Sequence, residues 1–157
     1  MQLREGDSLY LERVGSLAAK LTDASSTYSD LLKTIDVEEW LLLCACHLRR
    51  LHDFVVLALD KYNLPVEVYP YNSKRKGTEV AYELAMSAPK RLSLKVICDR
   101  LLHSALVAIQ VGDRDGRILF HSFAIVTDRT KEVEALSLRI DDFADAMKTL
   151  VVEERPK

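Results

Sequence analysis

This chain is poor in the features that mark secreted, membrane-spanning or nucleic-acid-coating proteins. It has only three cysteines in 157 residues, Cys44, Cys46 and Cys98, an odd number and too few for a disulfide framework. Cys44 and Cys46 stand two apart in a helical pattern and so point to different faces, which makes them poor disulfide partners. The opening stretch, MQLREGDSLYLERVGS, has no apolar segment behind a basic start, so no secretory signal is expected. No apolar run approaches the ~20 residues that cross a bilayer. The longest, from Trp40 to Cys46, is interrupted by His47, Arg49 and Arg50. These absences predict a reduced, cytoplasmic protein with no membrane partner. Charge is also nearly balanced, with 22 Lys and Arg against 24 Asp and Glu and a net charge of −2. Nothing global therefore draws the chain to polyanions, and any such contact must be a local patch.

Glycine is scarce as well, and none of the five lies in a phosphate-cradling Gly-x-Gly-x-x-Gly or Walker spacing. GDRDG (112–116) precedes a strand pattern rather than a helix, and it lacks the acidic run and closing Glu of a calcium loop, so it reads as a turn. No internal repeat or low-complexity tract is present.

What the chain does have is an ordinary globular balance, 48% hydrophobic and 29% charged, at a length suited to one domain over 1–157. Ser8 can cap a first helix, SLYLERVGSLAAKLTD, with Leu9, Val14, Leu17, Ala18 and Leu21 at helical spacing. Asp36 opens a second helix, VEEWLLLCACHLRRLHDFVVLALDKYN, which Asn63 and Pro65 end. Its stripe runs through Leu41, Cys44, Leu48, Leu51, Val55 and Ala58, widened by Leu43, Phe54 and Leu57, which predicts a central, buried helix. NLPVEVYPYNSKRKG, with two prolines and a glycine, reads as a loop, and Thr78 as the cap of a short helix, EVAYELAMSA. Ser93 then caps the helix that holds CDRLLHS.

From Leu106 the period changes. ALVAIQV and RILFHSFAIVT flank the GDRDG turn as a hairpin, KEVEALSLRI supplies a third strand after the turn DRTK, and Asp141 caps a last amphipathic helix, DDFADAMKTLVVEE. The expected fold is α+β: a mostly helical bundle with a helical core over 36–109, a three-stranded antiparallel β-meander over 106–140, and a closing helix over 141–154.

Four groups of side chains are candidates for chemistry. In CACHLRRLH, Cys44 and His47 are three apart and can share an ion. Cys46 points to the opposite side, His52 lies off the line, and no partner segment completes four ligands, so no metal site is expected. Arg49 and His52 lie on neighbouring ridges beside Asp53, and a guanidinium next to an imidazole can bind phosphate and move a proton; a solvated polar face is the simpler reading. His121, between Phe120 and Phe123, reads as a strand residue on the less apolar face. In CDRLLHS (98–104), Asp99 and His103 are four apart and Arg100 and His103 three apart, so a carboxylate, a guanidinium and an imidazole form one strip on a helix. That strip is either an acid/base site with a cationic stabiliser or an intrahelical pair worth a few tenths of a kcal/mol.

The segment ICDRLLHS resembles the short helical motif of HEPN domains (higher eukaryotes and prokaryotes nucleotide-binding), commonly Leu-Arg-Asn-x-Ile-Ala-His. His103 matches the family histidine, Leu101 the aliphatic position, Asp99 the usual asparagine and Ile97 the leading aliphatic. The family arginine falls on Cys98; Arg100 is its neighbour, about 200° further round the helix. The resemblance implies a dimeric helical protein that binds RNA or cleaves it without metal. His103 would then be the acid/base, Arg100 the phosphate stabiliser and Asp99 the residue that orients the histidine. No cofactor is implied. The alternative is a non-enzymatic protein-interaction or regulatory module of the antitoxin type, in which the strip is a polar interface. The compact basic patch Lys74, Arg75 and Lys76, beside Tyr69 and Tyr71, is a second candidate RNA contact, together with Arg49 and His52.

Overall fold

Leucine and alanine at helical spacing open the chain as two long helices. The computed structural model describes residues 5–55, 57–71, 88–127 and 133–155. Helix α1 (Glu5–Ser26) buries Leu11, Val14, Leu17, Ala18 and Leu21, whereas Leu9 is largely exposed. Helix α2 (Lys33–Val55) buries Val37, Leu41, Cys44, Ala45, Leu48 and Leu51 along the stripe expected of it. Among the described residues no helix is long and apolar enough to cross a membrane.

The second helix ends well before Asn63. His52 Nδ1–H donates to the Leu57 carbonyl over 2.6 Å, and the chain passes through a short 3-10 turn at Leu59–Lys61. Leu57 and Leu59 are buried from this connector, two apart rather than three or four. Phe54, expected on the buried stripe, is 79% exposed. The switch of apolar spacing from helical to alternating thus begins at Leu57 and continues through Leu59, Leu64, Val66 and Val68.

Those last three residues belong to strand β1 (Asn63–Tyr71), in the segment read from its prolines as a loop. β1 pairs with β2 (Ala88–Ser93) over 63–68 and with a later strand over 67–71. Pro65 and Pro70 each fall where one of the two ladders is missing, so an interior strand tolerates them. β2 occupies an end of the sheet and carries Pro89, Lys90 and Arg91, all exposed, a composition that discourages edge-to-edge pairing. The 128–131 turn, most of EVAYELAMSA and the basic patch Lys74–Lys76 lie outside the described residues.

Helix α3 (Leu94–Leu102) is capped as expected, the Ser93 hydroxyl accepting from the Val96 N–H. The hairpin β3 (Ser104–Arg114) and β4 (Arg117–Thr127) turns at Asp115 and Gly116, both with positive φ (54° and 79°), the conformation that a two-residue hairpin loop requires. β5 (Val133–Arg139) leads directly into helix α4 (Ile140–Glu154). Asp141 is not the cap of α4. Arg139 holds that position, and both Asp141 carboxylate oxygens receive its guanidinium, at 2.9 and 2.6 Å.

Among the described residues, five strands form one antiparallel sheet in the order β2-β1-β5-β4-β3. This overturns the expected mostly helical bundle with a three-stranded meander, although the α+β class stands. The two missed strands, β1 and β2, lie inside the stretch taken as the helical core. Helices α1 to α4 share one hydrophobic cluster with a single face of the sheet: Leu64, Val66 and Val68 from β1, Leu136 and Leu138 from β5, and Phe120, Phe123 and Ile125 from β4. Phe123 and Phe143 meet edge-to-face in it, with ring centroids 5.5 Å apart.

β4 stays in register with that core through a bulge. Phe123 pairs with Ile109 and Ser122 with Gln110, but Phe120 pairs with Val111, so His121 is an extra residue. Without the bulge, Phe120 and Phe123 would point to opposite faces, because they stand three positions apart. With it, both face the helices, and His121 stands on the other side of the sheet.

Candidate functional site

Helix α3 presents Leu94, Ile97, Cys98 and Leu101 to the core. Asp99, Arg100 and His103 remain outside it, as the helical spacing requires. Their side chains do not converge. Asp99 Oδ1 takes Nε of Arg49 from α2 at 3.1 Å, and Oδ2 takes Nζ of Lys95 at 3.5 Å. Arg100 Nη1 donates to the Thr127 hydroxyl at the end of β4, at 3.1 Å. His103 is the C-terminal cap residue of α3: its backbone N–H reaches the Asp99 carbonyl, while its exposed imidazole makes no hydrogen bond among the described residues. Two of the three strip residues therefore tie α3 to its neighbours, one to α2 and one to the sheet.

Arg49 is the partner that sequence spacing missed. It also bonds Asp53 at 3.2 Å, one turn on, so its guanidinium bridges an acid on its own helix and one on α3. Its Nη1 is buried without a hydrogen-bond partner among the described residues. Spacing within one helix predicts i,i+4 pairs such as Arg49–Asp53. It carries no information on the packing of α2 against α3 that brings in Asp99. Arg49 and His52 have separate partners: the first reaches Asp99 of α3, and the second the Leu57 carbonyl.

The CACH residues separate in the same way. Cys44 and Cys98 are buried, and burial pushes both thiols far up from the usual range. Cys46 is exposed. His47 packs its ring on Tyr10 at 5.3 Å, and its pKa is lowered by burial and by Arg13 and Arg50. Among the described residues no three His, Cys, Asp or Glu side chains are placed to hold a metal ion.

A groove of about 300 Å³ is formed by residues of the sheet together with Asp142 of α4. Its lining includes Glu67, Tyr69, Gln110, His121, Ser137 and Arg139. Sequence reading placed Tyr69 beside a basic loop and His121 on the less apolar face, but not the two together. The available signal was the broken alternation in FHSF, which marks the bulge that delivers His121 there.

Comparisons with family models, curated proteins and solved structures find no match to this chain.

Proposed function

We propose that the chain is a non-catalytic interaction module, in which the Asp99–Arg100–His103 strip ties helix α3 in place and is not a ribonuclease centre. The observation that carries this reading is the engagement of Asp99 by Arg49 and Lys95, which leaves His103 without the carboxylate that would orient it. Surface composition supports a protein partner, a second copy of the chain included. Leu31, Leu32 and Ile35 are 68%, 80% and 68% exposed at the start of α2, and Phe54, at its other end, lies under the Arg50 guanidinium. Exposed aliphatic clusters and Arg–aromatic pairs are the groups that partners bury. Three free cysteines fit the cytoplasmic setting that belongs to this reading.

A second reading, metal-independent RNA cleavage with His103 as acid/base and Arg100 as phosphate stabiliser, draws on the exposed imidazole of His103 and on the HEPN resemblance. Incubation of the purified protein with single-stranded RNA, with and without divalent metal, separates the two. The interaction reading expects intact RNA, and no difference between wild type and His103→Ala. Cleavage that His103→Ala abolishes at unchanged thermal stability would overturn it.

A further inference from the structure

The two edges of the sheet are built differently. β2 closes one end with Pro89, Lys90 and Arg91, all exposed, residues that discourage a further strand. β3 forms the other end, and from Ser104 to Gly112 it has neither a proline nor a charged residue. From Leu106 to Arg114 it pairs with β4 without a break, because the one register shift in that stretch is taken up by His121 of β4. Among the described residues, nothing outside this ladder hydrogen-bonds to the β3 backbone there. Every second residue therefore turns an N–H and a C=O to an open edge.

The core is also left open along this edge. Val107, Ile109 and Val111 stand opposite the core residues Ile125, Phe123 and Phe120. They extend the helix-facing row by one strand, but none is fully covered. Val107 and Ile109 are only partly buried, and Val111 is 41% exposed. An edge that offers both backbone groups and half-covered apolar side chains is suited to another strand.

The order of side chains along β3 selects that strand. A two-fold axis at Ile109, perpendicular to the sheet, sets an antiparallel copy with Ile109 opposite itself and Val107 opposite Val111. Both apolar rows then lie on the helix-facing side and continue one another. On the other face, Leu106, also 41% exposed, comes opposite Gly112, where an added Cβ would meet no atom within 4 Å. Ala108 comes opposite Gln110. Asp113 and Arg114 meet Ala105 and Ser104, so no like charges are opposed.

From this self-complementarity we infer that β3 pairs with β3 of a second copy of the chain, joining the two sheets edge to edge into one. This dimer gives the interaction module its partner, and so rests on that reading.

Sedimentation equilibrium of the full chain, from micromolar to millimolar concentration, is the test. The weight-average mass is expected to rise from 17.8 kDa towards twice that value. Val111→Lys, which sets an ammonium in the paired row, should weaken association at least tenfold. Leu32→Lys, in the exposed aliphatic cluster, should leave it unchanged. Register is read by cross-linking in a Cys46→Ser background, which removes the exposed native thiol. Ile109→Cys should form a disulfide with its own copy under oxidised glutathione, because directly opposed Cβ atoms lie about 4.5–5.5 Å apart. Val107→Cys should not link to itself, but should link to Val111→Cys when the two variants are mixed. A chain that stays monomeric throughout overturns the β3 dimer and leaves the edge to a strand of another protein. A natively folded Val111→Lys that associates as the wild type does, while Leu32→Lys does not, overturns it in favour of the aliphatic cluster. Val107→Cys that links to itself, with no link through Ile109→Cys, overturns the register. A monomer that leaves RNA intact sinks the dimer alone, whereas cleavage that depends on His103 sinks the interaction reading.

Discussion

Replacing Phe123 by alanine is expected to cost about 3–5 kcal/mol of stability, enough to leave a domain of this size marginal. Phe123 is fully buried on the helix-facing side of β4 and meets Phe143 of α4 edge-to-face. The change removes a ring from the contact between the sheet and the closing helix. No neighbouring element can move in to fill the space, because β4 is paired on both sides and held in register by the bulge. Urea denaturation followed by circular dichroism measures the loss. A cost below about 1 kcal/mol would mean that Phe123 does not occupy the centre of the core.

The second large effect lies on the helix that carries the candidate strip. Ile97→Ala should destabilise by about 2–5 kcal/mol, while His103→Ala, six residues on, should stay within about 0.5 kcal/mol. Ile97 is fully buried; His103 is an exposed cap residue with no side-chain partner among the described residues. A nine-residue helix is too short to persist on its own propensity, so α3 depends on this apolar face, on the Ser93 cap and on its ties to α2 and β4. Thermal melts of the two variants give the comparison directly. Equal losses would place His103 in the packing of the helix.

The elements that repeat one period over many residues were legible in the sequence. α1, the first two-thirds of α2, α4 and the β3–β4 hairpin each show a sustained pattern, and Asp115–Gly116 supplied the turn chemistry. β1 and β2 were not legible. Pro65 and Pro70 argue against an interior strand unless the extent of each neighbouring ladder is known, and that extent is fixed by tertiary pairing. α2 was read too long because Leu57 and Leu59 continue the apolar composition of the helix after its period has ended.

The candidate site divides in the same way. Helical geometry placed Asp99, Arg100 and His103 on one polar strip; all three lie outside the core, with Asp99 turned to α2 and Arg100 to β4. Which of them touch each other was decided by α2 and β4, through Arg49 and Thr127, neither of which is near the strip in sequence. Spacing along a helix shows which residues can meet, and packing selects among the possible partners. The groove was invisible for a related reason: its walls come from strands that are distant in sequence, and one of those strands was read as a loop.

The assignment of Asp99 to Arg49 rather than to His103 is tested most directly by two double-mutant cycles, with stability as the readout. In one, Arg49→Ala and Asp99→Ala are combined; in the other, Asp99→Ala and His103→Ala. Both partners of the ion pair are partly exposed, so solvent screening limits the expected coupling of Arg49 with Asp99 to about 0.5–1 kcal/mol. Between Asp99 and His103 it should be zero within about 0.3 kcal/mol. A clear coupling of Asp99 to His103, with none to Arg49, would contradict the account and return the strip to consideration as an acid/base site.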